Sequence, residues 1–138
     1  MKLFLHAVAL ATLLMAGCST PSTSGLEVVV SEGGTGKVIM DDNFLSRKVI
    51  VENCIARRET SGFAKAQVIV RNARSKDQPI QYQFRFFDAD GMEVQPGERA
   101  WEQTILHGDD SAALSAVAPS KEVVKFSVRI RRVMNGGY

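Results

Sequence analysis

Downstream of Gly25 period-2 alternation of apolar and polar positions recurs several times, and no stretch of about three helical turns holds a 3.6-residue apolar period. The clearest run is Ile80-Gln81-Tyr82-Gln83-Phe84-Arg85-Phe86, which places Ile80, Tyr82, Phe84 and Phe86 on one face and Gln81, Gln83 and Arg85 on the other. Such alternation is the mark of a strand with one face in a core and one in water. Near the C-terminus Val124, Phe126, Val128 and Ile130 alternate in the same way with Lys125, Ser127, Arg129 and Arg131. Further strands are predicted over Leu26–Ser31, Lys37–Met40, Arg47–Ile55, Phe63–Asn72, Arg99–Leu106 and Ala112–Ala118. The last of these is also compatible with a short helix capped from Asp109-Asp110-Ser111.

Turn chemistry separates the runs. Gly33-Gly34-Thr35-Gly36 reads as the loop of a first hairpin, Asp88-Ala89-Asp90-Gly91 turns the chain into Met92-Glu93-Val94, and Pro119-Ser120 precedes the final strand. Seven or eight short strands without intervening helices predict an all-β, antiparallel β-sandwich. Tyr82, Phe84, Phe86 and Phe126 are its expected aromatic centre. At roughly 1.5 to 3 kcal/mol each for full burial, they outweigh any surface ion pair.

The beginning of the chain has a different pattern. After Met1 and Lys2, the run Leu3–Ala16 is broken only by His6 and Thr12. That is the form of a secretory leader, shorter than the roughly 20 apolar residues a membrane span needs. Leu14-Met15-Ala16-Gly17-Cys18-Ser19 resembles the lipobox of bacterial lipoproteins, departing from its commonest form at Met15. The resemblance implies acylation of Cys18 and, with Ser19 rather than aspartate following, the periplasmic face of the outer membrane of a Gram-negative bacterium. Several acyl chains hold a protein on a bilayer where one chain is marginal. Residues Ser19–Gly25 (STPSTSG) are small, polar and interrupted by proline, and read as a tether reaching roughly 25 Å at about 3.5 Å per residue. The predicted organisation is therefore a leader (1–17), a lipidated cysteine and tether (18–25), a sandwich domain (26–134) and a short tail (135–138).

Seventeen Lys and Arg against fifteen Asp and Glu give a net charge of only +2, which with the compartment argues against a nucleic-acid binder. If Cys18 is acylated, Cys54 has no disulfide partner in the chain and is expected as a small core residue. With the leader removed, His107 is the only histidine, so no four-ligand zinc site of histidine and cysteine can form in one chain, and neither metal nor cofactor is expected.

The lipobox and tether, together with Val68-Ile69-Val70-Arg71-Asn72-Ala73, Tyr82–Gly91 (YQFRFFDADG) and Val117-Ala118-Pro119-Ser120, resemble the YcfL-like family of small proteobacterial lipoproteins over about Leu26–Val133. The resemblance implies an immunoglobulin-like sandwich with Phe86 where such domains often carry a core tryptophan. Because those motifs concern packing and turns, it implies no catalytic or binding residues.

Catalytic signatures are missing from the sequence. Glu32–Lys37 looks briefly like a phosphate loop, but Ser31 stands where its first glycine belongs and Val38 where Ser or Thr must follow the lysine. Neither Gly-x-Ser-x-Gly nor Ser-x-x-Lys occurs. His107 beside Asp109 and Asp110 is the single candidate base, and the pairs Asp41-Asp42 and Asp88/Asp90 fit turns better than glycosidase or calcium chemistry. No catalytic residue is expected.

Binding has better candidates. Lys125, Arg129 and Arg131, with Arg132, form a basic stripe predicted on the outward face of the last strand, and Arg57-Arg58 adds a second pair. Phe87 and Trp101 are the large apolar residues least well placed in the core. The residues expected to meet a partner are therefore Phe87, Trp101, Lys125, Arg129 and Arg131. The expected function is that of a non-enzymatic binding or accessory module of the cell envelope, anchored through Cys18, that contacts an envelope protein of unknown identity and, through the stripe, anionic lipid or lipopolysaccharide. Two alternatives stand beside it: a small hydrolase or ligand-binding domain for cell-wall or lipid fragments, using His107, and a purely structural envelope protein.

Overall fold

The computed structural model describes residues 25–34, 36–40, 42–97 and 99–133; the leader, Cys18, most of the tether and the C-terminal tail lie outside them. Among these described residues eight strands and a single helical turn follow in the order β1 (Leu26–Ser31), β2 (Lys37–Met40), α1 (Asn43–Ser46), β3 (Val49–Arg58), β4 (Ala64–Asn72), β5 (Gln78–Phe87), β6 (Glu102–Leu106), β7 (Ser111–Val117) and β8 (Lys125–Arg132). They form a five-stranded sheet, β2-β1-β8-β5-β6, and a three-stranded sheet, β3-β4-β7, with every pairing antiparallel. The protein is an all-β sandwich.

The alternation decides which face goes inward. Leu26, Val28 and Val30 of β1, Phe126, Val128 and Ile130 of β8, and Ile80, Phe84 and Phe86 of β5 are buried against Ala64, Ala66, Val68 and Val70 of β4 and Leu114 of β7. Phe86 and Phe126 are opposite each other in the register and meet edge to face, with ring centroids 5.5 Å apart. Tyr82 departs from the expected all-buried centre. It lies at the margin of the core, half-buried, with its ring edge to face on Phe84 and its hydroxyl donating to Glu102 Oε2 at 2.7 Å. A phenol needs a hydrogen-bond partner, and the sheet margin supplies one.

Both sides of the sandwich are tied across the sheets. On one side the Gly33 N–H donates to the Ala56 carbonyl at 3.2 Å. On the other, the buried Asn72 donates from Nδ2 to the carbonyls of Leu106 (2.9 Å) and Lys76 (2.8 Å) and accepts the Arg74 N–H at 3.0 Å.

Three elements differ from the sequence expectation. Strand β3 begins two residues later than predicted and runs on to Arg58, because a bulge between Val51 and Asn53 leaves Glu52 unpaired and shifts the inward positions from Val49 and Val51 to Cys54 and Ala56. The one-turn α1 was not expected; Asp42 caps it by accepting the N–H groups of Phe44 (2.8 Å) and Leu45 (3.2 Å). Strand β6 starts only at Glu102, since the Arg99 carbonyl is taken by Gln83 Nε2 at 2.6 Å. The ambiguous segment after Asp110 is strand β7, paired with β4 from Ser111 to Val117. The Asp88–Gly91 turn forms as predicted: Asp88 N–H donates to the Met92 carbonyl, Val94 N–H to the Phe86 carbonyl, and Gly91 takes φ +81°.

Candidate functional site: a cationic and aromatic sheet face

The positions that alternate away from the core on β8 and β5 form the outer face of the five-stranded sheet. Register sets them in cross-strand rows: Glu27, Arg129 and Gln83; Val29, Ser127 and Arg85; Ser31, Lys125 and Phe87; with Arg131 opposite Gln81. Four of the five expected contact residues are thus carried by two adjacent strands. The fifth, Trp101, precedes β6 and joins them because the Arg131 guanidinium stacks over its ring at 3.8 Å, while Arg131 Nε donates to Gln81 Oε1 at 2.9 Å.

Each large side chain on this face is held at its edges and left partly open. Phe87 points away from Phe86, as the alternation requires, and lies half-buried under two cations, Lys125 Nζ at 5.1 Å and the Arg85 guanidinium at 5.8 Å from the ring centroid. Arg85 also grips Glu93 with two hydrogen bonds, from Nε at 2.9 Å and Nη2 at 2.5 Å. These bonds hold the Glu93 carboxyl below its usual range and raise the Arg85 guanidinium. In the middle of the face Ser127 is buried, its hydroxyl donating to Glu27 Oε1. Beside Trp101, a cleft of about 10 Å³ between Glu27, Arg129 and Arg131 has room for about one water. The surface is therefore flat: a shallow array of cations and ring faces suited to an extended partner surface rather than to an enclosed small molecule.

Arg132 does not belong to the stripe. Strand periodicity turns it to the other side, where its Nε lies 3.1 Å from Asp42 Oδ2 and its guanidinium 4.4 Å from the Phe44 ring centroid. Arg57 and Arg58 likewise separate. Arg58 is spent on a forked pair with Glu32 (3.1 and 2.7 Å) and on the carbonyls of Gly62, Lys121 and Val123. Arg57 stays exposed on β3.

His107 does not pair with Asp109 or Asp110. Its Nδ1 lies 3.2 Å from Asp77 Oδ2, thirty residues away, and both side chains are mostly exposed. The Gly108 N–H, donating to Asp77 Oδ1 at 3.1 Å, and then His107 lower the Asp77 carboxyl below its usual value. Asp109 takes a positive φ of 59° and Asp110 accepts the Ser111 N–H, so both serve the turn. Asp88 does the same for Asp90 and Met92. Cys54 is a free thiol, half-buried against the core. Among the described residues no three His, Cys, Asp or Glu side chains are grouped to hold a metal ion, and no helix is long and apolar enough to cross a membrane.

Sequence reasoning missed Arg99, which folds over the core, its guanidinium 4.7 Å from the Phe86 ring centroid and its Nη2 donating to the carbonyls of Val94 and Gln95. It also missed the Arg85–Glu93 pair. Only the eight-residue spacing across the Asp88–Gly91 hairpin hints at that contact.

The model of the DUF1425 family, described as a protein of unknown function, matches residues 36–132. The chain belongs to the DUF1425 family. The crystal structure of a family member from Shewanella sp. PV-4 is 25% identical, with a TM-score of 0.56 over 83% of this chain and 94% of that one. Campylobacter jejuni cj0090, at 17% identity and a TM-score of 0.54 over 59% of this chain and 84% of its own, shares the fold. No functionally curated protein matches the sequence.

Proposed function

We propose that this DUF1425 protein is a YcfL-like lipoprotein, held by acyl chains on Cys18 at the periplasmic face of the outer membrane, that serves as a non-enzymatic binding module for an envelope protein. The observation that carries the binding role is the convergence of Phe87, Trp101, Lys125, Arg129 and Arg131 on one open sheet face. Half-buried rings flanked by cations are the residue types that dominate contact energy at protein interfaces. The Leu14–Cys18 lipobox supports the anchor, and the polar tether confines the domain to the vicinity of one leaflet.

The test is affinity capture of the intact chain from envelope extracts after crosslinking, compared with Cys18→Ala. A saturable partner that is lost when the anchor is lost supports the reading. Mass spectrometry showing an unmodified Cys18 refutes the anchor, and capture unaffected by changes on the sheet face refutes the site. The exposed Asp77–His107 pair favours a hydrolase as the second reading. His107→Ala then abolishes an envelope phenotype that the binding reading leaves intact.

A further inference from the structure

The domain begins at Gly25, and the ladder fixes what surrounds that point. Leu26 pairs with Met40 and Ile130, so the chain enters beside the ends of β2 and β8. The turn α1 follows β2 directly and is pinned to the end of β8 by Arg132 and Asp42. The 72–77 connection joins the same pole through the Ala73 N–H, which donates to the Lys48 carbonyl at 2.7 Å.

Cations gather there. Phe44, Arg47, Lys48 and Arg74 line an open cleft of about 410 Å³, and Lys48, Arg74 and Lys76 contribute to a neighbouring cleft of about 300 Å³ that also includes Asp77. Because Lys48 and Arg74 border both, the two are one concave basic surface. Among the described residues no carboxylate lies within ion-pair distance of Arg47, Lys48, Arg74 or Lys76. Among the described carboxylates on the connections of this pole, Asp42 is held by Arg132, Asp77 by His107 and Asp110 by the Ser111 N–H, while Asp109 is exposed on its loop. The connections of this pole carry Arg47, Lys48, Arg74 and Lys76 against Asp42, Asp77, Asp109 and Asp110, whereas the described connections of the opposite pole, 32–34, 59–63, 88–91 and 118–124, are acidic: Glu32, Glu59, Asp88, Asp90 and Glu122 against Lys121. At the centre of the basic pole the Phe44 ring is 43% exposed, with Lys48 Nζ 3.6 Å and the Arg132 guanidinium 4.4 Å from its centroid.

We infer that this N-terminal pole docks on the anionic phospholipid headgroups of the bilayer that carries the anchor. The inference rests on the lipid-anchor reading and adds an orientation to it. The seven residues from Ser19 to Gly25 span at most roughly 25 Å, so the domain's pole at Gly25 stays close to the anchoring leaflet. Cations nearest its point of attachment come within the Debye length of about 8 Å, where each Lys or Arg contributes to surface binding, and Phe44 supplies an apolar ring at headgroup depth. Docked this way, the sandwich stands on its N-terminal pole, with its acidic pole away from the leaflet and the cationic sheet face directed sideways.

The experiment uses the full chain, processed in a Gram-negative host. Its Cys18 acylation is read by mass spectrometry, and it is placed on vesicles of phosphatidylcholine alone or of phosphatidylcholine with phosphatidylglycerol. Hydrogen exchange is expected to slow in residues 42–48 and 72–77 only on the anionic vesicles, and to recover in high salt. Arg47→Gln, Arg74→Gln and Lys76→Gln each replace an exposed side chain that has no hydrogen bond or ion pair to a described residue, and each is expected to lower the protection about fivefold. Arg57→Gln on β3 is expected to leave it unchanged. Equal exchange on both vesicles with Cys18 acylated overturns the docking and leaves the anchor standing. An unmodified Cys18 overturns the anchor, and flotation of that chain with the anionic vesicles then decides the docking, its absence overturning it.

Discussion

Tyr82 shows how one residue's surroundings set its chemistry. Partial burial, and then the hydrogen bond to Glu102, push its phenol up to about 12. The folded state thus holds this proton more tightly than the unfolded chain, whose tyrosine titrates near 10. The resulting stabilisation is complete below about pH 10 and is lost as the pH rises towards 12. In a Tyr138→Phe variant, where Tyr82 is the only tyrosine, ultraviolet titration is expected to give a midpoint near 12. Glu102→Gln is expected to move it down only part of the way, because burial is the larger cause. A midpoint near 10 in the Tyr138→Phe variant contradicts the placement of the ring. A second residue-scale contact lies between Gly36 and Cys54: a Cβ added at Gly36 would lie 1.9 Å from Cys54 Sγ. Gly36→Ala is therefore expected to cost about 1 to 3 kcal/mol in denaturant unfolding, as overpacking does. Most of that cost should vanish in a Cys54→Ala background, where the sulfur is gone. Additive losses in the double variant would show that the sulfur does not set the limit.

At the scale of elements, the single turn α1 depends on Asp42, which is 7% exposed and spends one carboxylate oxygen on two N–H groups and the other on Arg132. Asp42→Ala is expected to destabilise the fold by about 0.5 to 2 kcal/mol for the cap, with a further loss from the stranded Arg132. Asp42→Asn should retain most of the cap term, and equal losses in the two variants would place the effect outside the cap. The same element marks the limit of what the sequence discloses. Strands β5 and β8 were legible to within two residues because each keeps its alternation through most of its length, and β1 and β2 because a glycine-rich loop separates them. Strand β3 was not, because the bulge at Glu52 reverses the inward parity halfway along and the apolar pattern loses its period. A four-residue turn has too few positions to show any period at all, so α1 could be signalled only by its cap, and Asp41-Asp42 reads equally well as a plain turn. The sheet face was legible for the same reason as β5 and β8, since strict alternation fixes both the core and what points away from it. Arg132 was misplaced by grouping basic residues by proximity instead of by parity. The partner of His107 was invisible, because Asp77 reaches it through tertiary packing and not along the chain.

At the scale of the molecule, the proposed anchor and the sheet face make separable contributions to partner capture, and separability gives the sharpest test. Confinement by a short tether raises the effective concentration of any partner on the same leaflet without adding a contact, whereas the face acts only through contacts. The two losses should therefore multiply. Lys125→Glu reverses the charge above Phe87, and Trp101→Ala removes the ring beneath Arg131; both residues are partly exposed and outside the buried core. Their combination is expected to reduce crosslinked partner about tenfold or more, with little change in thermal unfolding. Lys65→Glu, on β4 of the other sheet, serves as the control and should leave capture intact. Cys18→Ala should reduce capture by its own factor in either background. If the face variants lose nothing while the anchor variant loses everything, recognition lies elsewhere on the domain. If the anchor variant loses nothing while the face variants fail, the face binds a freely diffusing partner and the membrane has no part in recognition.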